Sequence, residues 1–264
     1  MAAPSLPSEI MKTEHIDMVK RIAEIARLHN PKKICDYGCG NGRIIDALKA
    51  AGVDASYTGI DFIAGYPELK QKQDARTRYI DRAGAGYQEL LRSGEKFDLV
   101  FICNSIPHFK HPVREFTNIT ALMCGGALLY IADINFVNET EVDITRNIEC
   151  YLEEMLLNLK LLNLKDDFCR HFYAVDEVMD LLEPFGLETL QREEYRISQP
   201  PEEKASDTAR LLEYYDHWLG KLEKAGENTL DGIRKRLLSA ARRAAEMNGA
   251  DYGARYGLLF KKPR

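Results

Sequence analysis

Asp36, Gly38, Gly40 and Gly42 stand at alternate positions, and this is the densest group of chemically suggestive residues in the chain. Glycine lets the backbone take up positive φ and approach a ligand with no Cβ between them. Ile44, Ile45, Ala47 and Leu48 follow at helical spacing. The turn carrying Cys39 and Asn41 therefore opens a helix, whose free N–H groups and positive dipole end face whatever rests there. A second acid, Asp61, lies 19 residues beyond Gly42 and is followed by Phe62. In a doubly wound sheet an acid at that distance accepts hydrogen bonds from ribose hydroxyls. A third group, Asn104, Ser105 and His108, follows an apolar run. His108 is the candidate general base or substrate contact. Its alternative role is a partly buried histidine capping the next helix.

These residues need elements to hold them. Ile34 and Cys35 form a short apolar strand that Asp36 closes. Ser56 to Phe62 reads as a second strand. Phe97 to Asn104, FDLVFICN, is almost continuously apolar, as expected of a central parallel strand covered on both faces. Gly125-Gly126 opens another apolar strand ending at Asp133. Ile16, Val19, Ile22, Ala23 and Ala26 share one helical face between Ser8 and Leu28, which Asn30-Pro31 ends. Pro112 to Met123 is a further helix. Pro67 to Arg78 is polar and helical in pattern. A remaining strand has two placements: Thr77–Ile80, ending in Asp81, or Ala85–Tyr87, with Gln88 at its corner.

The glycine loop departs from the dinucleotide fingerprint G-x-G-x-x-G. Asp36-x-Gly38-x-Gly40-x-Gly42 instead resembles the loop of the class I S-adenosylmethionine-dependent methyltransferases. In that family the loop holds the amino-acid part of the cofactor, whose ammonium accounts for an acidic neighbour. Asp61 is similar to the acid that ends the family's second strand. The FDLV strand with a histidine after it, and the Gly-Gly strand, resemble the fourth and fifth strands. Phe172 to Leu190 resembles the last core helix, with a sixth strand through Ile197. Tyr256 to Lys262 resembles the antiparallel seventh strand. The resemblance implies an α/β fold with a doubly wound, seven-stranded, mostly parallel sheet and S-adenosylmethionine as cofactor. It assigns cofactor contacts to Asp36, Gly38, Cys39, Gly40, Asn41, Gly42, Asp61 and Phe62. Asn104 and Ser105 join them, with Asp81, or Tyr87 and Gln88, on the adenine side. The reaction implied is in-line transfer of the sulfonium methyl to an O or N nucleophile; related folds also transfer the aminopropyl group.

The 264 residues fit one elaborated α/β domain. The core is expected at 31–137, 171–199 and 251–264, behind an N-terminal helix within 1–30. Two additions, 138–170 and 200–250, carry amphipathic helical patterns expected to form a lid or a homodimer surface. In the first, Ile148, Tyr151, Leu152, Met155, Leu156 and Leu159 make one stripe, widened by Leu157, Leu161 and Leu164. In the second, Leu211, Leu212, Tyr215, Trp218 and Leu222 make one stripe. Leu230, Ile233, Leu237, Ala241 and Ala244 make another across Gly226.

A net charge of −5 argues against a long nucleic-acid groove. The basic run Arg234, Lys235, Arg236, Arg242 and Arg243 is expected to be a solvated face. The six cysteines form no C-x-x-C pair, so zinc is not expected and free thiols in a reducing cytoplasm are. Asp133 and Asn135 sit where metal-dependent O-methyltransferases bind a cation. The preceding strand ends in Asn104 without an acid, so no metal is expected. Nor is a signal peptide or a membrane span. Asn104-Ser105-Ile106-Pro107 also differs from the Asn-Pro-Pro-Tyr segment of DNA-adenine and protein-glutamine N-methyltransferases. The preferred expectation is a small-molecule acceptor. The alternatives are an RNA or protein methyltransferase using the basic helix, and a non-catalytic cofactor-binding partner subunit.

Overall fold

A computed structural model describes residues 12–137, 139, 140, 143, 171–250 and 253–264. The stripe expected between Ile148 and Leu164, with Cys150 and Cys169, lies outside them, as does the tail before residue 12. Seven strands form one sheet: β1 (Lys33–Tyr37), β2 (Ser56–Asp61), β3 (Thr77–Asp81), β4 (Phe97–Cys103), β5 (Met123–Ile134), β6 (Glu188–Arg196) and β7 (Ala254–Lys261). Their order is β3-β2-β1-β4-β5-β7-β6. The first five are mutually parallel, and β7 runs antiparallel between β5 and β6. Strand order reverses between β1 and β4, so their carboxyl ends open a crevice there.

Helices cover both faces. α1 (Thr13–His29) and α2 (Arg43–Ala50) pack with Leu99, Phe101, Leu128 and Tyr130 on one side. α3 (Ala85–Arg92), α4 (Pro112–Leu122) and α5 (Val175–Leu182) pack with Val100, Ile102, Leu129 and Ile131 on the other. Successive residues of β4 and β5 thus enter opposite cores, because strand side chains alternate between faces. Fully burying each such side chain contributes about 1.5–3 kcal/mol. This explains why both strands read as unbroken apolar runs.

The open choice for the third strand is settled at Thr77–Asp81; Ala85–Tyr87 begins α3. Within the polar stretch before β3, only a 3-10 turn forms, at Pro67–Lys72. β3 and β6 are the edge strands, and the row of Glu, Gln and Arg residues on β6 stays largely exposed, which discourages edge pairing.

The second addition folds as a helical hairpin, α6 (Pro201–Lys221) and α7 (Leu230–Asn248). Its own core contains Leu211, Tyr215, Trp218, Leu238, Ala241 and Ala245. The stripe on α7 differs from the expected one. Arg234, Leu238, Ala241 and Ala245 are buried, while Ile233 and Leu237 are 43% and 44% exposed. The helix is rotated because Gly232 packs directly on the backbone of Gly226 and Glu227.

Candidate active site

The turn after β1 is built by its glycines. Gly38, Gly40 and Gly42 all have positive φ. Gly38 and Cys39 donate their N–H groups to the Ile60 carbonyl at 2.8 and 3.2 Å, tying the turn to β2. An added Cβ at Gly38 would strike the Ser105 side chain, and one at Gly42 the Tyr79 ring. At Gly40 it would meet only Tyr66, at 3.9 Å, so that backbone is open to a ligand. Asp61 accepts hydrogen bonds from Gly40 N–H and Phe62 N–H, both at 2.6 Å, holding its carboxylate at the loop. Arg43 donates to Asn41 Oδ1 at 3.0 Å, and Lys72 to the Asn41 carbonyl at 2.8 Å.

At the end of β4, Asn104 takes the left-handed conformation with φ = 52°. Asparagine tolerates this region better than other non-glycine residues. Its Oδ1 accepts from Nη2 of Arg255, which is wholly buried; Arg255 Nη1 donates to Glu14 Oε2 at 2.8 Å. The Ser105 hydroxyl lies 3.1 Å from the Gly38 carbonyl and 2.9 Å from that of Cys103, bridging the two strand ends.

Gly38, Cys39, Gly40, Asn41, Asp61 and Phe62 thus line one cleft of about 480 Å³, together with Asn104, Ser105 and His108. Asp36 lies beneath, 1% exposed, with one carboxylate oxygen unpartnered. Burial, then repulsion from Asp61, pushes its carboxyl well up. Gly42 caps α2 and does not line the cleft. Asp81 Oδ1 accepts from Ala83 N–H at 3.1 Å, away from the cleft lining. Tyr87 and Gln88 border a neighbouring cavity of about 300 Å³ that shares Phe62, Arg82 and His108 with the cleft. Tyr87 is buried there, its hydroxyl 2.7 Å from that of Tyr37. A third cavity, about 150 Å³, is bordered by Glu14, Asn104, Asp133 and Phe172, and His108 faces all three.

Several residues of the site were not anticipated. His15 on α1 lines the cleft, and burial lowers its pKa so that the imidazole stays neutral near pH 7. Arg82 lies 5.2 Å above the Phe62 ring, 5.6 Å from that of Phe109, and is ion-paired with buried Glu115. Asp133, named from the sequence only as a cation position beside Asn135, lies at the end of β5, is 1% exposed, and its carboxyl is pushed up to about 6 by burial, with Arg255 and backbone N–H groups opposing. Cys35, Cys39 and Cys103 have thiol pKa values pushed up by burial, so they are not nucleophiles near neutral pH. Among the described residues no group of three or more His, Cys, Asp or Glu is placed to hold a metal ion. Asn135 instead accepts from Val175 N–H and donates to Glu194, both at 3.0 Å.

Residues 9–192 match the family described as a methyltransferase domain. The chain belongs to the class I S-adenosylmethionine-dependent methyltransferases. Among its relatives is a phthiotriol/phenolphthiotriol dimycocerosates methyltransferase of Mycobacterium leprae. The two are 30% identical over 168 residues, covering 61% of this chain and 60% of that protein. A ubiquinone biosynthesis O-methyltransferase of Coxiella burnetii is 27% identical over 126 residues, covering 46% and 47%. This chain therefore spans about half to three-fifths of the length of these relatives. The solved structure of a cyclopropane-fatty-acyl-phospholipid synthase-like protein from Lactobacillus casei shares the fold. Its TM-score is 0.65 at 16% identity, covering 99% of this chain and 96% of that one. The methyltransferase cleft fits the family's cofactor: an open glycine backbone, a strand-end carboxylate and a buried acid with a spare oxygen lie together.

Proposed function

We propose that this methyltransferase acts on an O or N nucleophile of a small-molecule acceptor. The observation that carries the reading is the continuity of the cleft. The glycine loop and Asp61 lie at one part of it, and Asn104 and His108 border both it and the 150 Å³ cavity. Bound S-adenosylmethionine supplies an electrophilic methyl group on a sulfonium, open to in-line displacement. The work left to the chain is orientation and exclusion of water. The Gly40 backbone approaches the amino-acid part, and Asp61 accepts from ribose hydroxyls. Phe62 and Arg82 flank the adenine side. Asn104, fixed by Arg255, bounds the space between cofactor and acceptor, and His108 contacts the acceptor.

The names of the two relatives, a phthiotriol/phenolphthiotriol dimycocerosates methyltransferase and a ubiquinone biosynthesis O-methyltransferase, support an acceptor that is neither nucleic acid nor protein. The basic helix supports it too. Arg234 is buried against Asp231, Arg242 pairs with Asp216 and Glu246, and Lys235 donates to the Glu223 carbonyl. These three side chains are held within the hairpin, which leaves Arg236 and Arg243 as the exposed members of the run. The hairpin supports a lid reading, because α6 holds the start of α1, the helix that brings His15 to the cleft. Lys12 pairs with Asp207 at 2.8 Å and the Thr13 hydroxyl donates to Glu203 at 2.7 Å.

Calorimetric titration with S-adenosylhomocysteine tests the cofactor half. Asp61→Ala is expected to weaken binding by about 1–3 kcal/mol, since hydrogen bonds to a charged group are lost. Undiminished affinity removes Asp61 from the site. Labelled S-adenosylmethionine with a metabolite extract tests the acceptor half; label found only in RNA or protein overturns the reading.

A further inference from the structure

We infer that the 150 Å³ cavity is the acceptor's own subsite, and that Asp133 takes the proton from a hydroxyl group on a ring-sized acceptor. The inference rests on the methyltransferase reading above. The cavity adjoins the cofactor cleft through Asn104 and His108, which border both. A cavity of this size matches a single aromatic ring, as engineered cavities of about 150 Å³ that bind benzene show. Phe172, Ile134 and Pro107 supply apolar wall, and Asp133 and Glu14 supply carboxylates.

The two carboxylates differ in their duties. Glu14 is bound to Arg255 at 2.8 Å. Asp133 accepts backbone N–H groups from Ile134 at 2.8 Å on Oδ1 and from Ile106 at 3.2 Å on Oδ2, with a third from Ser105. A carboxylate offers about four lone-pair positions, so three backbone donors leave room for one more hydrogen bond. Of the three cavities described, Asp133 borders this one, whereas His108 borders all three and is less shielded. The titratable and charged groups around Asp133 are Arg255 and Tyr256 from β7, Cys103 from β4, Glu14 from α1 and His108 after β4. Its carboxyl, pushed up to about 6, is ionised at neutral pH and close enough to it to bind a proton in passing.

A hydroxyl is the acceptor that needs such a group, because a neutral amine attacks with its lone pair and needs no base beforehand. In the step, the acceptor O–H bond breaks and its proton passes to the Asp133 carboxylate. The oxygen electron pair forms the new bond to the methyl carbon. The carbon–sulfur bond breaks with its pair retained on sulfur, leaving S-adenosylhomocysteine and a methyl ether. The proton then leaves Asp133 for solvent.

The test uses a probe that does not depend on the natural acceptor: an S-adenosylhomocysteine analogue with an aminoethyl arm in place of the methyl group. The arm reaches the acceptor side, and its ammonium reports a facing carboxylate. The expected result at pH 7.5 is binding at least tenfold tighter than S-adenosylhomocysteine. Asp133→Asn, which preserves shape and an acceptor oxygen, should abolish the gain and leave S-adenosylhomocysteine affinity unchanged. Phe172→Trp should abolish it by filling the cavity, with the carboxylate intact. A gain that survives in Asp133→Asn, or no gain in the natural chain, overturns the subsite. Absence of S-adenosylhomocysteine binding in the natural chain instead overturns the cofactor reading. With the acceptor found by the extract assay, Asp133→Asn should lower kcat by about 10²–10⁴-fold. An unchanged kcat overturns the proton transfer.

Discussion

Asp133 and Asp143 are both almost fully buried, yet their proton affinities move in opposite directions. Burial raises Asp133 to about 6. For Asp143 burial also pushes upward, but hydrogen bonds from Arg196, Thr140 and the Ala254 N–H outweigh it and hold the carboxyl at about 2. The signs follow from linkage. Between the ordinary carboxylate range and pH 6 the folded chain binds the Asp133 proton more tightly than the unfolded chain, so this group makes stability fall as pH rises. Asp143 contributes stability present above the ordinary range and lost as pH falls toward 2. Urea unfolding across pH 4 to 7 should therefore show a declining contribution that Asp133→Asn removes. Identical slopes in the two proteins would place the raised affinity elsewhere. At this scale the glycine loop, Asp61, Asn104 and His108 were legible, because strand, turn and helix signals lie beside them in sequence. Glu14, His15 and Arg255 were not, since Glu14 meets Arg255 across 241 positions. One signal was available: an arginine within the apolar run of β7, where a buried cation requires a buried partner.

The elements sort by how local their determinants are. β1, β4 and β5 announce themselves because both faces are covered, and α1 because one stripe of it is. The hairpin helix α7 was misread because periodicity fixes a face only when nothing else fixes the rotation. There, Gly232 sits against backbone and Arg234 takes a buried place, ion-paired to Asp231. Gly232→Ala tests this directly. Helix propensity alone would favour alanine by about 1 kcal/mol. The added Cβ would meet the Gly226 carbonyl oxygen and, at 2.8 Å, the Glu227 backbone, which cannot swing aside as a side chain can. Overpacking of this kind costs about 1–3 kcal/mol, so the net expectation is destabilisation. Thermal melting followed by Trp218 fluorescence measures it, and a raised midpoint would show that the contact relaxes freely.

On the scale of the whole molecule, two packed units share one chain. The sheet and its helices hold the cleft, and the hairpin has a separate apolar core. The chain has a single tryptophan, Trp218, and it lies in the hairpin, so its fluorescence reports that unit while far-ultraviolet circular dichroism follows the whole. Urea titration should give a fluorescence midpoint below the dichroism midpoint, as expected of a subglobal unit. Coincident curves would mean that the polar ties to α1 suffice to make unfolding all-or-none. The order in which the parts become available follows from β7. Second from the end in sheet order, between β5 and β6, it is the last of the described strands in sequence, and it alone pairs with β6. On the ribosome the glycine loop, Asp61 and Asn104 all emerge long before Arg255. Until β7 is synthesised, Glu14 and Asn104 lack their cation and β6 has no neighbour. A nascent chain therefore exposes a nearly finished cofactor half beside an open sheet edge, and that interval is when it most needs a chaperone.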